Sequence, residues 1–193
     1  AEARDTFGGR VTLESSLPGL AEWARVRDWR LGQLNDKPNA QLFTQSPLTA
    51  DDILAYGIPN VALATGSTWR TDGVGRTHKR PLPFLNAPNV CSPDTLMANG
   101  PEQLPKGPIA IFDDETFYLG SVLAERVANT GREVLFITPS AIVAPYSENT
   151  LEQSRIQRRL IELGVKILPL TKLANLTADA LTIACLYSEK QTT

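Results

Sequence analysis

A cluster of acids, followed by an aromatic residue and a glycine, comes directly after one apolar segment of the sequence. Asp113, Asp114 and Glu115 form the cluster, and Phe117 and Gly120 follow it. A helix N-terminus normally attracts anions such as phosphates, and carboxylates placed there repel them. The first chemical expectation for these residues is therefore that they exclude phosphate groups.

The elements around this cluster form a strand, a helix and a second strand. Residues 109–112 are continuously apolar, as in a parallel strand that is buried on both faces, and residues 133–138 resemble a second such strand. Apolar residues at helical spacing lie between the two strands, and Gly131 is placed to end their helix. These apolar residues are Leu119, Val122, Leu123 and Val127. Residues 108–138 are therefore predicted to form the βαβ unit on which dinucleotide-binding domains are built.

The phosphate-binding residues of such a unit are absent. Aligning Gly120 with the last glycine of GxGxxG, and Ala124 with the alanine after it, puts Glu115 and Phe117 at the first two glycine positions. A phenylalanine there should obstruct the pyrophosphate, and one like-charge pair about 4 Å apart costs about 4 kcal/mol at an effective dielectric of about 20. We therefore predict that pyridine nucleotides do not bind here in the usual pose, and that the acids instead stabilise the helix dipole.

A second set of residues suggests a cofactor site near the start of the sequence. Glu2 followed by Gly8 and Gly9 has the spacing of the acid that binds a ribose and of the glycines that pass close to a flavin cofactor. Residues 60–66 are predicted to form a buried strand that runs into Ala64-Thr65-Gly66, where small residues permit close backbone approach.

The remaining segments are predicted to be mostly helices and strands. Residues 18–34 have the apolar spacing of one amphipathic helix in which Trp23 and Trp29 pack inward. Residues 69–89 are predicted to be a surface connection with His78 exposed. The other predictions are a short strand at residues 41–44, an N-cap at Thr49, a short helix beginning near Ser92, a capping box at Thr150–Gln153 before a helix over residues 151–163, and strands at residues 165–168 and 180–187.

Composition and charge exclude several classes of protein. The net charge of −2 and the isoelectric point near 5.5 offer no basic surface for nucleic acid. Cys91 and Cys185 lack the spacing of a zinc or iron-sulfur site, so no metal site is expected. No run approaches the roughly 18 apolar residues of a membrane span. A cytoplasmic protein without membrane association is expected. The sequence begins without methionine, which suggests a piece of a longer polypeptide.

Four stretches together resemble the C-terminal part of the trimethylamine, dimethylamine and histamine dehydrogenase group, which is related to old yellow enzyme and 2,4-dienoyl-CoA reductase. These stretches are SSLPGLAEWARVRDWR, ATGSTWRTDGVGRTHKRPLP, DDETFYLGSVLAERVANTGREV and TLEQSRIQRRLIELGV. The run from Trp69 to Pro83, which contains Asp72, Gly73, His78 and Pro81, and the acidic replacement of GxGxxG are the most specific features of the resemblance.

The resemblance implies a large flavoenzyme whose N-terminal barrel carries FMN, a 4Fe-4S cluster and the amine-oxidising site, all outside this sequence. It implies an α/β fold: a Rossmann-like three-layer domain of the glutathione-reductase-like NAD(P)-binding type, at residues 104–193, attached to an incomplete FAD/ADP-binding domain at residues 1–103. The first domain would hold ADP or FAD through Glu2 at the ribose, through Gly8, Gly9 and Arg10 along the diphosphate, and through Ala64, Thr65 and Gly66 beneath it.

Three functional readings stay open for the sequence. The leading reading is a nucleotide-domain scaffold with no catalytic residue and no bound cofactor of its own, which packs against the barrel of the same polypeptide in a homodimeric parent enzyme. The second is an NAD(P)H-binding reductase domain with an atypical turn. The third is a non-catalytic module that docks an electron-transfer flavoprotein.

Overall fold

The computed structural model describes residues 1–193, which divide into two compact units, residues 1–68 and residues 69–193. Residues 69–103, which the sequence analysis grouped with the first domain, belong to the second compact unit. The boundary between the compact units, at residue 68, thus differs from the predicted domain boundary at residue 103. The predicted boundary separates two ancestral domains rather than two compact units, and it stays a prediction.

The first unit is built from short helices. They are α1 (Gly9–Glu14), a 3₁₀ turn (Ala21–Trp23), α2 (Ala24–Asn35) and α3 (Ala50–Ala55). Helix α3 begins at the predicted cap, because the Thr49 side chain accepts a hydrogen bond from the Asp52 amide and the Asp52 carboxylate accepts one from the Thr49 amide. The predicted helix over residues 18–34 is thus split into the 3₁₀ turn and α2.

The first unit has almost no core. Leu17 is its only buried hydrophobic side chain, and α2 buries none. Trp23 and Trp29 are 45% and 65% exposed, so the prediction that they pack inward is wrong. Residues 60–66 are exposed and belong to no strand, contrary to the prediction of a buried strand, because no segment of this chain pairs with them. Residues 41–44 form no strand either.

The second unit contains a parallel sheet with helical crossovers. Its strands β1 (Ile109–Phe112), β2 (Val134–Ile137) and β3 (Lys166–Leu168) lie in the order β1-β2-β3, with Ile109 opposite Val134 and Leu135 opposite Lys166. Before the sheet comes the predicted short helix, α4 (Pro93–Asn99), and the Ser92 side chain caps it. Helix α5 (Leu119–Ala128) connects β1 to β2, and α6 (Gln153–Glu162) connects β2 to β3. The predicted βαβ unit and the α/β class are confirmed.

An antiparallel sheet follows the parallel one. Its strands are β4 (Thr171–Leu176), β5 (Leu181–Cys185) and β6 (Gln191–Thr192). Strand β5 matches the predicted strand at residues 180–187, whereas β4 and β6 lacked a recognisable pattern. The periodic apolar spacing that marks a long strand is interrupted in β4 by a bulge between Leu173 and Asn175.

The core of the second unit lies between the parallel sheet and its helices. Phe136, Ile137, Val127 and Leu160 are nearly inaccessible to solvent there. Helix α5 contributes a continuous buried face, and an ion pair of 2.9 Å between Arg159 of α6 and Glu125 of α5 links the two helices. Strand β1 is less buried than predicted, since Ala110 is exposed.

The predicted capping box before α6 does not form. The Thr150 hydroxyl donates to the Ser147 carbonyl and to the Glu152 carboxylate, and α6 begins at Gln153 without a side-chain cap. Gln153 instead turns inward, where its amide donates a hydrogen bond of 3.0 Å to the Val143 carbonyl. None of the helices combines the length and the apolar composition that a membrane span requires.

Candidate functional site

The turn after β1 satisfies its own amides with its own carboxylates. The Asp113 Oδ1 atom accepts a hydrogen bond of 3.1 Å from the Thr116 amide, and the Glu115 Oε2 atom accepts one of 3.1 Å from the Phe117 amide. In a dinucleotide-binding turn, backbone amides at this place face a pyrophosphate. Here each of these two amides already donates a hydrogen bond to a carboxylate of the same turn.

Asp113 is a buried carboxylate with an incomplete set of partners. Its side chain is 3% exposed, and its Oδ2 atom is buried without a hydrogen-bond partner. Burial raises the pKa of Asp113 to about 6, against the opposing effect of the hydrogen bond from the Thr116 amide. The nearby charge of Glu115 raises this pKa further. This carboxyl group therefore changes charge close to neutral pH.

Gly120 is the one glycine of the phosphate-binding pattern that the sequence retains, and the structure gives it a different role. A Cβ atom at Gly120 would lie 2.9 Å from Cγ and 3.0 Å from Cβ of Asp113. The absence of a side chain at residue 120 thus makes room for the buried carboxyl group rather than for a ligand.

The acids do not occupy the first turn of α5. This helix begins at Leu119, after a turn in which Thr116 adopts a left-handed conformation with φ of 71°, and its first turn contains no acid. Asp113, Asp114 and Glu115 thus precede the helix, and their stabilisation of its dipole stays a prediction. Their role in the structure is to hold the preceding turn.

Phe117 lies on the surface in a stacked aromatic pair. Its ring and that of Tyr146 are 4.8 Å apart between centroids, with an angle of 9° between their planes. The Tyr146 amide also donates a hydrogen bond of 3.3 Å to the Thr116 carbonyl. These contacts join the turn after β1 to the segment that follows β2.

Asp114 joins the same turn to the loop at residues 69–83. Its two carboxylate oxygens accept hydrogen bonds from the Thr77 amide, at 2.9 Å, and from the Thr77 hydroxyl, at 2.6 Å. The neighbouring Arg76 places its guanidinium 4.9 Å from the centroid of the Tyr146 ring and donates a hydrogen bond of 3.2 Å to the Thr116 hydroxyl. These residues line a cavity of about 400 Å³ together with Pro139, Ser140 and Pro145.

Sequence reasoning did not identify this cavity. It treated residues 69–89 as a surface connection, because they show no periodicity. His78 is only partly exposed, its Nε2 atom is buried without a hydrogen-bond partner, and burial lowers its pKa, so the prediction that it is exposed is wrong. The glycine at residue 75 is the feature of the sequence that reflects this contact, because any other side chain there would overlap the Asp114 carboxylate.

The predicted cofactor residues of the first unit lie in two groups. Gly8 has a φ of 114° and caps α1, and Arg10 donates a hydrogen bond of 2.9 Å to the Ser67 carbonyl, one residue beyond Ala64-Thr65-Gly66. The structure thus links the Arg10 side chain to the residue that follows this tripeptide. Glu2 lies with residues 43–46, and its Oε1 atom accepts a hydrogen bond of 2.9 Å from the Arg4 amide. Their role as a cofactor site stays a prediction.

No group of three or more His, Cys, Asp and Glu side chains is arranged to hold a metal ion. Cys91 and Cys185 are both free thiols.

The chain is similar in sequence and structure to amine-oxidising enzymes. It is 37% identical to dimethylamine dehydrogenase of Hyphomicrobium sp. (strain x) in an alignment of 174 residues, which covers 86% of this chain and 23% of that protein. Histamine dehydrogenase from Rhizobium sp. 4-9 matches 98% of the chain with 40% identity and a TM-score of 0.92, over 29% of its own length. No family model matches the sequence.

A third relative gives the same result. The structure of 6-hydroxypseudooxynicotine amine oxidase from Pseudomonas geniculata N1 matches 98% of the chain with 33% identity and a TM-score of 0.93, over 28% of its own length. The chain thus spans less than a third of each of these relatives, and their C-terminal domains are its structural neighbours. The chain's homologues belong to the trimethylamine dehydrogenase-like group, as its motifs predict.

Proposed function

We propose that this chain is part of a flavin-dependent oxidoreductase of the amine dehydrogenase type, in which it serves as a nucleotide-domain scaffold without its own catalytic centre. The homology to dimethylamine and histamine dehydrogenases over most of the chain supports this proposal. The amine-oxidising site, FMN and the 4Fe-4S cluster would then belong to a barrel domain outside these residues.

The observation that carries the scaffold role is the occupation of the turn after β1 by its own carboxylates. The amides of Thr116 and Phe117 already donate to Asp113 and Glu115. A pyrophosphate would have to displace both carboxylates and then remain next to their charge, at a cost of about 4 kcal/mol for one unit pair about 4 Å apart. A nucleotide therefore has no favourable place at this turn.

The exposed apolar side chains of the first unit support the proposal that another part of the parent protein covers it. Leu54 and Leu63 are each 76% exposed, and Tyr56 is 64% exposed. Exposed apolar side chains in this number are typical of a surface that another part of a protein covers. We assign the covering surface to the barrel of the same polypeptide and the ligand site to Glu2, Gly8–Arg10 and Ala64–Gly66, in a homodimeric cytoplasmic enzyme that passes electrons to an electron-transfer flavoprotein.

Calorimetric titration of the chain with NADH and NADPH tests the scaffold role. We expect no binding of either nucleotide at concentrations up to the millimolar range, because the amides that would hold the pyrophosphate are occupied. The far-ultraviolet circular dichroism spectrum of the same sample would establish that the protein is folded. Micromolar affinity for either nucleotide would contradict the proposal and favour an NAD(P)H-dependent reductase domain.

A further inference from the structure

The cavity next to Arg76 lies where ligands bind in α/β proteins. Asp114 follows the end of β1, and Pro139 and Ser140 follow the end of β2. The carboxyl ends of adjacent parallel strands are the usual location of ligand sites in open α/β sheets. The volume of about 400 Å³ is within the range of small-molecule pockets.

Several contacts hold Arg76 in the wall of this cavity. Its backbone lies within a short loop that is closed by a hydrogen bond of 2.9 Å from the Gly75 amide to the His78 carbonyl. The next residue, Thr77, donates hydrogen bonds to Asp114. Its guanidinium contacts the Tyr146 ring and the Thr116 hydroxyl. No carboxylate of the chain forms an ion pair with it, so the charge of Arg76 is not balanced by a direct partner.

Several hydrogen-bond donors around Arg76 have no acceptor within the chain. Both oxygens of Asp114 already accept hydrogen bonds from Thr77, and the side-chain hydroxyls of Ser140 and Tyr146 form no hydrogen bond within the chain. A ligand that provides acceptor oxygens would satisfy these donors and the free N–H groups of the guanidinium. The negative charge of Asp114 in the same wall repels any anion and repels a dianion most, so a singly charged ligand is better matched to the single positive charge of Arg76.

We propose that this cavity binds a small organic monocarboxylate, with its carboxylate on Arg76 and its apolar part against Pro139, Pro145 and the edge of the Tyr146 ring. The faces of that ring are already covered by Phe117 and Arg76. Planar carboxylates match the fork of a guanidinium, which supplies parallel N–H donors. The site uses neither the amides of the turn after β1 nor a redox centre, so it is independent of the proposed function.

Titration of the isotope-labelled chain with sodium benzoate, followed by ¹H–¹⁵N NMR, tests this proposal. We expect saturable shifts of the Thr77, Ser140 and Tyr146 amides, with a dissociation constant raised about tenfold or more in Arg76→Met, because a charge-assisted hydrogen bond is lost. Arg80→Met is the matched control, since Arg80 is exposed in the same loop and does not line the cavity. Its dissociation constant should equal that of the unchanged chain.

A second ligand and a second variant test whether the charge of the ligand and the shape of the guanidinium matter. Benzamide, which has the same ring without the charge, should bind about tenfold more weakly or not at all, and Arg76→Lys should fall between the unchanged chain and Arg76→Met. If Arg76→Met does not fold, as its NMR spectrum would reveal, the benzamide and Arg76→Lys results carry the test. Absence of saturable shifts, equal binding of benzamide, equal binding to Arg76→Met, or a preference for inorganic phosphate over benzoate would overturn the proposal.

Discussion

At the scale of single residues, the chemistry of the turn after β1 depends on where each carboxylate points. The sequence predicted that an acid, Glu115, and an aromatic residue, Phe117, replace the first two phosphate-binding glycines. It could not predict that Asp113 is the buried member of the cluster. Side-chain direction in an irregular turn depends on backbone angles such as the φ of 71° at Thr116, and a sequence pattern does not encode them.

Asp113 makes the stability of the second unit depend on pH. Its folded-state pKa of about 6 lies above the ordinary value of 3.8, so the folded state binds this proton more tightly than the unfolded state does. This contribution to the unfolding free energy is complete below pH 3.8 and is lost as the pH rises to about 6. The loss amounts to about 3 kcal/mol.

Asp113→Asn should remove this dependence. Its side-chain oxygen can still accept the hydrogen bond from the Thr116 amide, while the buried charge is gone. We expect its unfolding free energy to exceed that of the unchanged chain by about 1–3 kcal/mol at pH 7.5, with the advantage disappearing below about pH 4. Urea denaturation followed by circular dichroism at both pH values measures this, and the exposed Asp179→Asn is the matched control. An advantage independent of pH would contradict the assignment.

At the scale of elements, the periodic segments were predictable and the irregular ones were not. Residues 109–112 and α5 appear where apolar spacing puts them, because each packs against the other within this chain. Residues 60–66 have an equally apolar pattern yet remain unpaired. A pattern reports that a segment is suited to burial, whereas burial itself requires a neighbouring strand. The cavity next to Arg76 depends on contacts between three loops, for which the sequence offered no periodic signal.

Gly120→Ala tests the packing of α5 against the acidic turn. An added methyl group would lie too close to the Asp113 carboxyl group, so we expect a net loss of about 1–2 kcal/mol in unfolding free energy, in spite of the higher helix propensity of alanine. Gly32→Ala in α2 is the comparison for a helical glycine with open space, because nothing lies within 4 Å of its added Cβ atom. Measured on the unfolding of the first unit, which contains it, the substitution should be neutral or stabilising by up to about 1 kcal/mol. Equal effects of the two substitutions in urea denaturation would show that Asp113 does not restrict residue 120.

At the scale of the whole molecule, the two compact units differ in the amount of core they contain. The second unit buries continuous apolar faces on its sheet and helices, while the first unit buries Leu17 and leaves two tryptophans exposed. Stability follows buried apolar area, so the two units should not unfold together. The sequence did not predict this contrast, because both halves have ordinary apolar content and the difference lies in which partners each half finds.

Hydrogen exchange followed by mass spectrometry measures this contrast directly. We expect peptides covering residues 60–66 to exchange within seconds at neutral pH, because their amides form no backbone hydrogen bonds. Peptides covering β2 should stay protected for hours, since this strand is central in the parallel sheet and nearly inaccessible. Slow exchange of residues 60–66 would contradict the description of the first unit as lacking a partner surface.

The internal carboxylates of the turn after β1 also affect how many substitutions would be needed to create a nucleotide site there. Replacing Phe117 by glycine would make space for a phosphate group. The amide of residue 117 would still donate to Glu115, however, and the Thr116 amide would still donate to Asp113. A turn with two unoccupied amides would therefore require changes at Asp113 and Glu115 as well as at Phe117. If the proposed scaffold role is correct, no single substitution in this turn should create a nucleotide site.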